Sequence, residues 1–144
     1  MNETPTIRLL GPGDIAVFSN VAEDVFDEDI DPRWAAEFLN DPRHHLVVAL
    51  LGGQVIGMAS AVHYVHPDKP PELWVNEIGV TPAYRQRGIG KQLMAALFSR
   101  GRELGCTEAW LGTEESNMAA RRLYASVGGA EQPMVYFTFD LARL

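Results

Sequence analysis

The sequence predicts a mixed α/β fold, built as one domain over residues 1–144. Apolar runs typical of strands alternate with amphipathic helical segments, which is the pattern of a sheet covered by helices. Gly52 and Gly53 join two of these runs, and paired glycines favour a tight hairpin because its turn requires positive φ. Farther along, a strand, a helix and another strand follow one another as a crossover unit. Hydrophobic residues make up 47% of the chain, enough for one core.

The first 45 residues are predicted to hold one strand and two helices. A short apolar run over residues 6–10 ends at glycine and proline, as expected of an edge strand. Asp14 is expected to cap a helix whose apolar residues recur at three- and four-residue spacings. These residues are Ile15, Phe18, Val21, Ala22 and Val25. Asp31-Pro32 is a favourable helix start, and Asp41-Pro42 ends that second helix.

The rest of the chain is predicted to run in the order three strands, helix, strand, helix, strand. The strands are expected at residues 46–51, 54–62, 73–80, 108–112 and 134–141, and the helices at 88–102 and 117–127. The proline-rich stretch 63–71 is expected to be a loop. Counted with the first elements, this gives six strands and four helices.

Charge and cysteine content narrow the classes of function. Twelve basic against nineteen acidic residues give a net charge of −7, so the chain lacks the positive field of a nonspecific nucleic-acid binder. The acidity favours a cationic small molecule, although solubility alone also explains it. Cys106 is the single cysteine, which excludes an internal disulfide and a multi-cysteine zinc site, and no metal is predicted. Without a signal peptide or a membrane-length apolar run, a cytoplasmic protein is expected.

A basic, glycine-containing segment between a strand and a helix is the most informative part of the sequence. Residues 85–91 read RQRGIGK in an otherwise acidic chain. A helix N-terminus offers free N–H groups and the positive end of the peptide dipole, and Gly88 and Gly90 allow close approach of an anion. The segment therefore predicts a phosphate site. The alternative is a basic helix start without a ligand.

Two blocks of sequence resemble a known family. Residues 76–94 (NEIGVTPAYRQRGIGKQLM) and the later block 117–128 resemble the acetyl-coenzyme A signature of the GNAT superfamily of N-acetyltransferases. The resemblance implies a three-layer fold with a central, mostly antiparallel sheet of six to seven strands and about four flanking helices. It also implies that the fourth and fifth strands splay apart beside a β-bulge. The implied cofactor is acetyl-CoA.

The resemblance also implies site residues. Those expected to hold acetyl-CoA are Ile78, Gly79, Val80, Arg85, Gln86, Arg87, Gly88, Ile89, Gly90, Lys91, Asn117, Ala120 and Tyr124. Tyr124 is implied to protonate the leaving thiolate, the alternative being a core tyrosine. Glu77 is the implied general base, the alternative being a structural carboxylate or a water chain in its place. Strict strand alternation puts Glu77 on the face of Val75, but a bulge reverses that assignment.

The acidic residues indicate the chemical class of the acetyl acceptor. Carboxylates and an amide near the predicted pocket are expected to bind a cationic amine. They are Asp27, Glu28, Asp29, Glu72 and Asn76. The order of the acidic segment 26–31 (FDEDID), the Gly52-Gly53 hairpin and the strand segment 71–80 (PELWVNEIGV) resembles that of aminoglycoside 3-N-acetyltransferases. Another small amine, a polyamine, a protein amine or a non-catalytic acyl-CoA-binding module remain alternatives, and the apolar run 134–141 suggests a homodimer.

Overall fold

The computed structural model describes residues 3–144, which divide into one unit ending at Gly112 and a second unit, Thr113–Leu144. The first unit contains β1 (Thr6–Leu9), α1 (Pro32–Asn40), β2 (His44–Leu51), β3 (Gln54–Tyr64), β4 (Glu72–Val80), α2 (Ile89–Glu103) and β5 (Glu108–Trp110). The second contains α3 (Met118–Ser126). Short 3-10 turns occur at Ile15–Ser19, Pro82–Tyr84 and Leu141–Arg143. Over residues 3–144, no helix is both long and apolar enough to cross a membrane.

All five strands form one sheet in the order β1-β2-β3-β4-β5. Neighbouring strands are antiparallel except β4 and β5, which are parallel and joined by α2 as the crossover helix. The mixed α/β class and the mostly antiparallel sheet are therefore confirmed. The counts differ, because the described part of the chain contains five strands and three α-helices.

The two faces of the sheet carry separate apolar clusters. On one face, Ile89, Leu93 and Leu97 of α2 pack against alternate residues of β2, β3 and β4. On the other, Leu39 of α1 and Val25 join Leu46, Val48, Val55 and Met58 of the sheet. Because alternate residues of a strand face opposite sides, β2 and β3 are apolar along most of their length and are buried on both faces.

The helix expected from Asp14 to Val25 is wrong. Only Ile15–Ser19 is helical, as a short 3-10 turn, and the Asp14 side chain forms no capping hydrogen bond with this turn. The Asp14 carboxylate instead accepts from the Gly11 N–H at 2.8 Å and pairs with Arg8. Residues 20–22 then join β3, since the Ala22 N–H donates to the Val55 carbonyl at 2.9 Å. Pairing with the sheet replaces the helical hydrogen bonds.

The strand expected over residues 134–141 is also wrong. That stretch has no regular structure before the turn at Leu141–Arg143, and its apolar side chains are exposed. Strand-like alternation forms a strand only where a neighbouring strand or an apolar layer is available, and no described strand pairs with this stretch. The fifth strand is also shorter than expected, ending at Trp110 instead of residue 112.

Candidate active site

β4 is fully paired on one edge and only partly paired on the other. Its antiparallel register with β3 runs from Glu72 to Val80. Its parallel register with β5 covers only Glu72, Leu73 and Trp74. Within the first unit, the β5-side edge of residues 75–80 has no partner strand. The backbone groups at that edge are free to pair with an extended molecule.

A β-bulge interrupts β4 at Asn76. Ser60 of β3 pairs with Glu77, whereas the next residue, Ala61, pairs with Val75. One step along β3 therefore corresponds to two along β4, and Asn76 is the extra residue. Such a bulge shifts the alternation of side chains on the strand that contains it.

The bulge places Glu77 on the face opposite α2. Before it, Leu73 and Val75 pack into the α2 cluster, and after it Ile78 and Val80 do so. Glu77 and Gly79 therefore lie on the other face, where a Cβ at position 79 would meet the backbone of Val25. Strict alternation, which would have put Glu77 with Val75, does not hold here.

Glu77 lies in a partly buried, acidic environment. Burial raises the pKa of its carboxyl, and the negative charge of Asp27 raises it further. Asp27, Glu28 and Asp29 are all exposed and follow Val25 in the segment that packs over Gly79. Of these three residues, Asp27 is thus close enough to act on Glu77 electrostatically.

The other two polar residues expected near the acceptor also lie on β4. Glu72 begins the strand, and one of its carboxylate oxygens lies 2.6 Å from His66 Nε2. Asn76, the bulge residue, is exposed. Counting alternately from Leu73 and Val75, Glu72 lies on the same face of the sheet as Glu77, which brings two carboxylates to that face.

The segment after β4 leads into α2 without a side-chain cap. Gly88 is the N-cap in the left-handed conformation with φ +81°, and Gln86 also has positive φ. The first turn of α2 carries no acidic residue. Since a Cβ at Gly88 would meet nothing within 4 Å, the space before the helix is open. The free N–H groups of this turn, including those of Ile89 and Gly90, can donate hydrogen bonds to a bound anion.

Basic side chains surround this helix start. Arg85 Nε donates to the Val80 carbonyl at 2.9 Å, which ties the segment to the end of β4. The Arg87 guanidinium lies over the Tyr84 ring, 5.1 Å from its centroid. Lys91 is exposed in the first turn. Three cations thus lie beside free N–H groups in a chain of net charge −7.

In the second unit, the residues of the later block cluster on α3. The Asn117 side chain accepts from the Ala120 N–H at 3.1 Å and caps the helix. Tyr124 is half-buried about two turns after Asn117, and burial raises the pKa of its phenol. The phenol is therefore protonated at neutral pH. Gly128, with φ +95°, and Gly129 end the helix, the Gly129 N–H donating to the Tyr124 carbonyl at 2.9 Å.

The sequence analysis missed an aromatic cluster on the Glu77 face. Trp74 stacks on Trp110 with ring centroids 5.6 Å apart, and Trp110 Nε1 donates to the Tyr64 hydroxyl at 2.7 Å. The signal was present, because a tryptophan stands at an outward position of each of two strands expected to be neighbours.

The histidines form no metal site: in the part of the chain described here, no three His, Cys, Asp or Glu side chains cluster to hold an ion.

The comparison with known families decides the identity of this arrangement. The model of the acetyltransferase (GNAT) family matches residues 15–128, well over half of the chain. The chain belongs to the GNAT acetyltransferase family. GNAT acetyltransferases use acetyl-CoA, and the resemblance of the two sequence blocks is confirmed.

Curated relatives of this GNAT chain include enzymes with different acceptors. It is 36% identical over 131 residues to N-alpha-acetyltransferase RimI of Mycobacterium tuberculosis, covering 88% of this chain and 78% of RimI. It is 34% identical over 94 residues to aminoglycoside N(6′)-acetyltransferase type 1 of Salmonella typhimurium, covering 62% and 65%. An uncharacterized N-acetyltransferase of Mycobacterium tuberculosis is 28% identical over 102 residues, 71% of this chain. The match spans 63% of that relative's length.

Solved structures share the fold over nearly the whole GNAT chain. Aminoglycoside N-acetyltransferase AAC(6′)-Iy in complex with CoA has a TM-score of 0.81 at 25% identity, covering 97% of each chain. The same enzyme with the bisubstrate analogue CoA-S-monomethyl-acetylneamine has a TM-score of 0.80 at 26% identity, covering 96% of this chain and 99% of that one. By name, these aminoglycoside enzymes are 6′ enzymes, whereas the sequence analysis expected a resemblance to the 3-N class.

Proposed function

We propose that this protein is an acetyl-CoA-dependent N-acetyltransferase that transfers an acetyl group directly to a primary amine of a cationic acceptor, with an aminoglycoside as the acceptor class. The observation that carries the proposal is the half-paired β4 strand, whose open edge leads into the uncapped, basic start of α2. A strand edge and an anion site in succession suit a molecule with an amide-containing arm and a pyrophosphate. The family match and the CoA complexes of AAC(6′)-Iy support it.

The residues of the first unit fit acetyl-CoA by their chemistry. The N–H groups from Arg87 to Lys91 would hold the pyrophosphate, helped by the charges of Arg85 and Arg87. The β4 edge at Ile78, Gly79 and Val80, which has no partner strand and whose Val80 carbonyl accepts from Arg85 Nε, would pair with the pantetheine arm. From the second unit, we assign Asn117 and Ala120 to the cofactor as well. When bound, acetyl-CoA supplies the activated acetyl group.

Two side chains are assigned to proton transfer. An ammonium must lose a proton before its nitrogen can attack, and Glu77, with its raised pKa, is the proposed acceptor of that proton. A leaving thiolate needs a proton, and Tyr124, a neutral phenol, is its proposed donor. The raised pKa of Tyr124 keeps its phenol protonated at neutral pH, as the role of proton donor requires.

Charge on the Glu77 face supports a cationic acceptor. Glu77 and Glu72 lie on that face, Asp27 acts on Glu77 electrostatically, and Glu28 and Asp29 follow in the same exposed segment. Opposite charges favour encounter and orientation of a polyamine. Asn76 is proposed to add an amide contact. An aminoglycoside carries several ammonium groups and meets this requirement, and the Salmonella typhimurium relative is named for such an acceptor.

An acetyl-CoA consumption assay against several amines tests the proposal. We expect thiol release with aminoglycosides, and expression of the chain in a sensitive bacterium should raise the inhibitory concentration of the acetylated drugs. Turnover of another amine with none of the aminoglycosides would exclude the narrower acceptor. Tight acetyl-CoA binding without turnover of any amine would indicate an acyl-CoA-binding module instead of an enzyme.

A protein N-terminal amine is the second candidate acceptor. The observation that favours it is the 36% identity with RimI over 88% of the chain, a longer match than that to the aminoglycoside enzyme. Peptides with free N-termini therefore belong in the same assay. Faster turnover of peptides than of any aminoglycoside would assign the chain to protein acetylation.

We also propose that the protein is a cytoplasmic homodimer. The apolar side chains of the 134–141 segment are exposed, including Val135 at 78% and Phe137 at 73%. Exposed apolar segments of this size mark interaction surfaces. Light scattering tests the assembly: Phe137→Ser should yield a monomer, and a monomeric wild type would exclude the dimer. Cys106, a free thiol, suits a reducing compartment.

A further inference from the structure

Trp74 and Trp110 form an aromatic pair on the same face of the sheet as Glu77. They are direct partners in the parallel register of β4 and β5, and their planes are inclined by only 19°. Trp74 is 37% exposed, so part of its ring remains accessible beside the stacked neighbour. Large exposed aromatic surfaces are costly in water and are typical of binding sites.

A series of hydrogen-bonding and aromatic contacts fixes the orientation of this pair. Trp110 donates through Nε1 to the Tyr64 hydroxyl at 2.7 Å. Tyr64 meets the His66 ring edge to face at 5.1 Å, and His66 Nε2 lies 2.6 Å from a Glu72 carboxylate oxygen. Glu72 is in turn the strand partner of Tyr64. Since the surrounding side chains hold one another, Trp74 stacks on a ring that is already fixed.

Carboxylates flank the tryptophan pair along β4. Glu72 lies two residues before Trp74 and Glu77 three residues after it, all on one face because of the bulge at Asn76. Trp74 pairs with Val62 and Glu77 with Ser60, so the bulge makes three steps along β4 match two along β3, and Trp74 and Glu77 are about 7 Å apart along the strand. One ring over Trp74 and a linked ring that carries the reacting amine beside Glu77 fit this distance. An aromatic face between carboxylates suits a saturated ring that carries ammonium groups.

We propose that Trp74 is a specificity-determining residue that stacks against a ring of a multi-ring, polycationic acceptor while the reacting amine lies beside Glu77. The inference rests on the proposed function, because it takes Glu77 as the proton acceptor. It adds that the enzyme selects acceptors by the presence of a second ring. Linear amines of similar charge lack that contact.

The test compares the kcat/KM of sisomicin, a three-ring polyamine, with that of spermidine, a linear one. Trp74→Leu removes the aromatic face at moderate change in volume and should lower the sisomicin-to-spermidine ratio about ten-fold, as expected for one cation–π or stacking contact. Trp74→Phe keeps a ring and should retain most of the ratio. Trp34, which is 70% exposed on α1, supplies the matched control Trp34→Leu, which should leave the ratio as in the wild type.

A second measurement uses the wild-type protein and does not depend on how the variants fold. Protons of one sisomicin ring should shift upfield in NMR spectra on binding, because they lie over an indole face. An unchanged kcat/KM ratio in a folded Trp74→Leu variant, or the absence of ring-current shifts in bound sisomicin, would overturn the assignment of Trp74. Failure of the proposed function is recognised separately, as the absence of acetyl-CoA turnover with any aminoglycoside in the wild-type enzyme.

Discussion

The backbone carbonyl of Val25 lies against Gly79, so close that a Cβ at position 79 would overlap its oxygen. Val25 is almost fully buried, and Asp24 before it has the unusual φ of +59°. The contact holds the acidic segment that follows against the face of β4 that carries Glu77. A glycine in the strand is thus required for close approach of another backbone.

Gly79→Ala is expected to destabilise the fold by about 2 kcal/mol or more, because the added methyl group meets backbone that cannot rotate away. Urea unfolding measures the change in the free energy of unfolding. Gly11→Ala is the matched control, since a Cβ there meets nothing within 4 Å, and its effect should stay within about 0.5 kcal/mol. Equal stability of the two variants would contradict the close approach.

Gly88→Asp is expected to abolish most of the thermal stabilisation that acetyl-CoA gives the protein. The aspartate would place a negative charge at the helix start that is proposed to bind pyrophosphate. Gly88→Asn is the control, because asparagine and aspartate have similar size and both tolerate the left-handed conformation found here. We expect the asparagine variant to keep most of the shift in Tm. Undiminished protection of the aspartate variant would remove the anion site from α2.

The raised pKa of Glu77 predicts the acidic limb of the pH–rate profile. The carboxyl must be ionised to accept a proton, so kcat/KM should fall as the pH drops through that raised pKa. Asp27→Asn removes a negative charge that raises it, and the limb should therefore move to lower pH. Glu77→Gln should remove the limb together with most of the activity.

Glu28→Gln serves as the control for Asp27→Asn. Glu28 is the next carboxylate along the chain, but its charge does not contribute to the pKa shift of Glu77. The variant should leave the position of the limb unchanged. If Asp27→Asn and Glu28→Gln shift the limb equally, the effect is one of overall charge. An unaltered profile in Glu77→Gln would assign the base to another group or to water.

Local signals in the sequence were sufficient for the part of the fold made by neighbouring residues. The Gly52-Gly53 hairpin and the Asp31-Pro32 helix start are both present, and the Asp31 carboxylate accepts from the N–H groups of Arg33 and Trp34. The same is true of the segment proposed to bind the pyrophosphate, because the helix start and its charges are adjacent in sequence.

Features that depend on distant partners were not predictable. The apolar spacing of residues 14–25 is helical, yet Ala22 hydrogen-bonds to Val55, a partner 33 positions later in the numbering. The family resemblance implied a bulge, but its position at Asn76 is a mismatch between two strands, so neither strand alone encodes it. The stretch 134–141 has the pattern of a strand, but a pattern does not supply the neighbour with which to pair.

Tyr124→Phe tests the proposed acid. Turnover should fall about ten-fold or more, because the phenol that is proposed to protonate the thiolate is lost. Acetyl-CoA affinity, measured by calorimetry, should be nearly unaffected, since the ring and its burial remain. Tyr136→Phe, on an exposed tyrosine of the same unit, is the control and should behave as the wild type. Equal loss of turnover and affinity would indicate a structural role for Tyr124.

His45 predicts how stability depends on pH. Its Nε2 lies 2.8 Å from His63 Nδ1, and the residue is buried, with 4% of its surface exposed. Burial, with a smaller contribution from the charge of His63, lowers the pKa of His45 to about 4. In the unfolded chain the His45 imidazole is protonated near pH 6.5, whereas in the folded chain it is protonated only near pH 4. The free energy of unfolding should therefore fall as the pH drops through this interval.

His45→Gln keeps a hydrogen-bonding side chain that does not titrate, so the fall between about pH 6.5 and about pH 4 should be smaller than in the wild type. The variant is less stable at neutral pH because glutamine does not reproduce the ring stacking on His63. The prediction therefore concerns the slope of stability against pH, and urea titrations across the interval measure it. His44→Gln removes a pair with Asp41 and a minor charge effect on His45, so it should change the slope less than His45→Gln does. An equally steep loss of stability in His45→Gln would assign the acid sensitivity to carboxylates elsewhere in the fold.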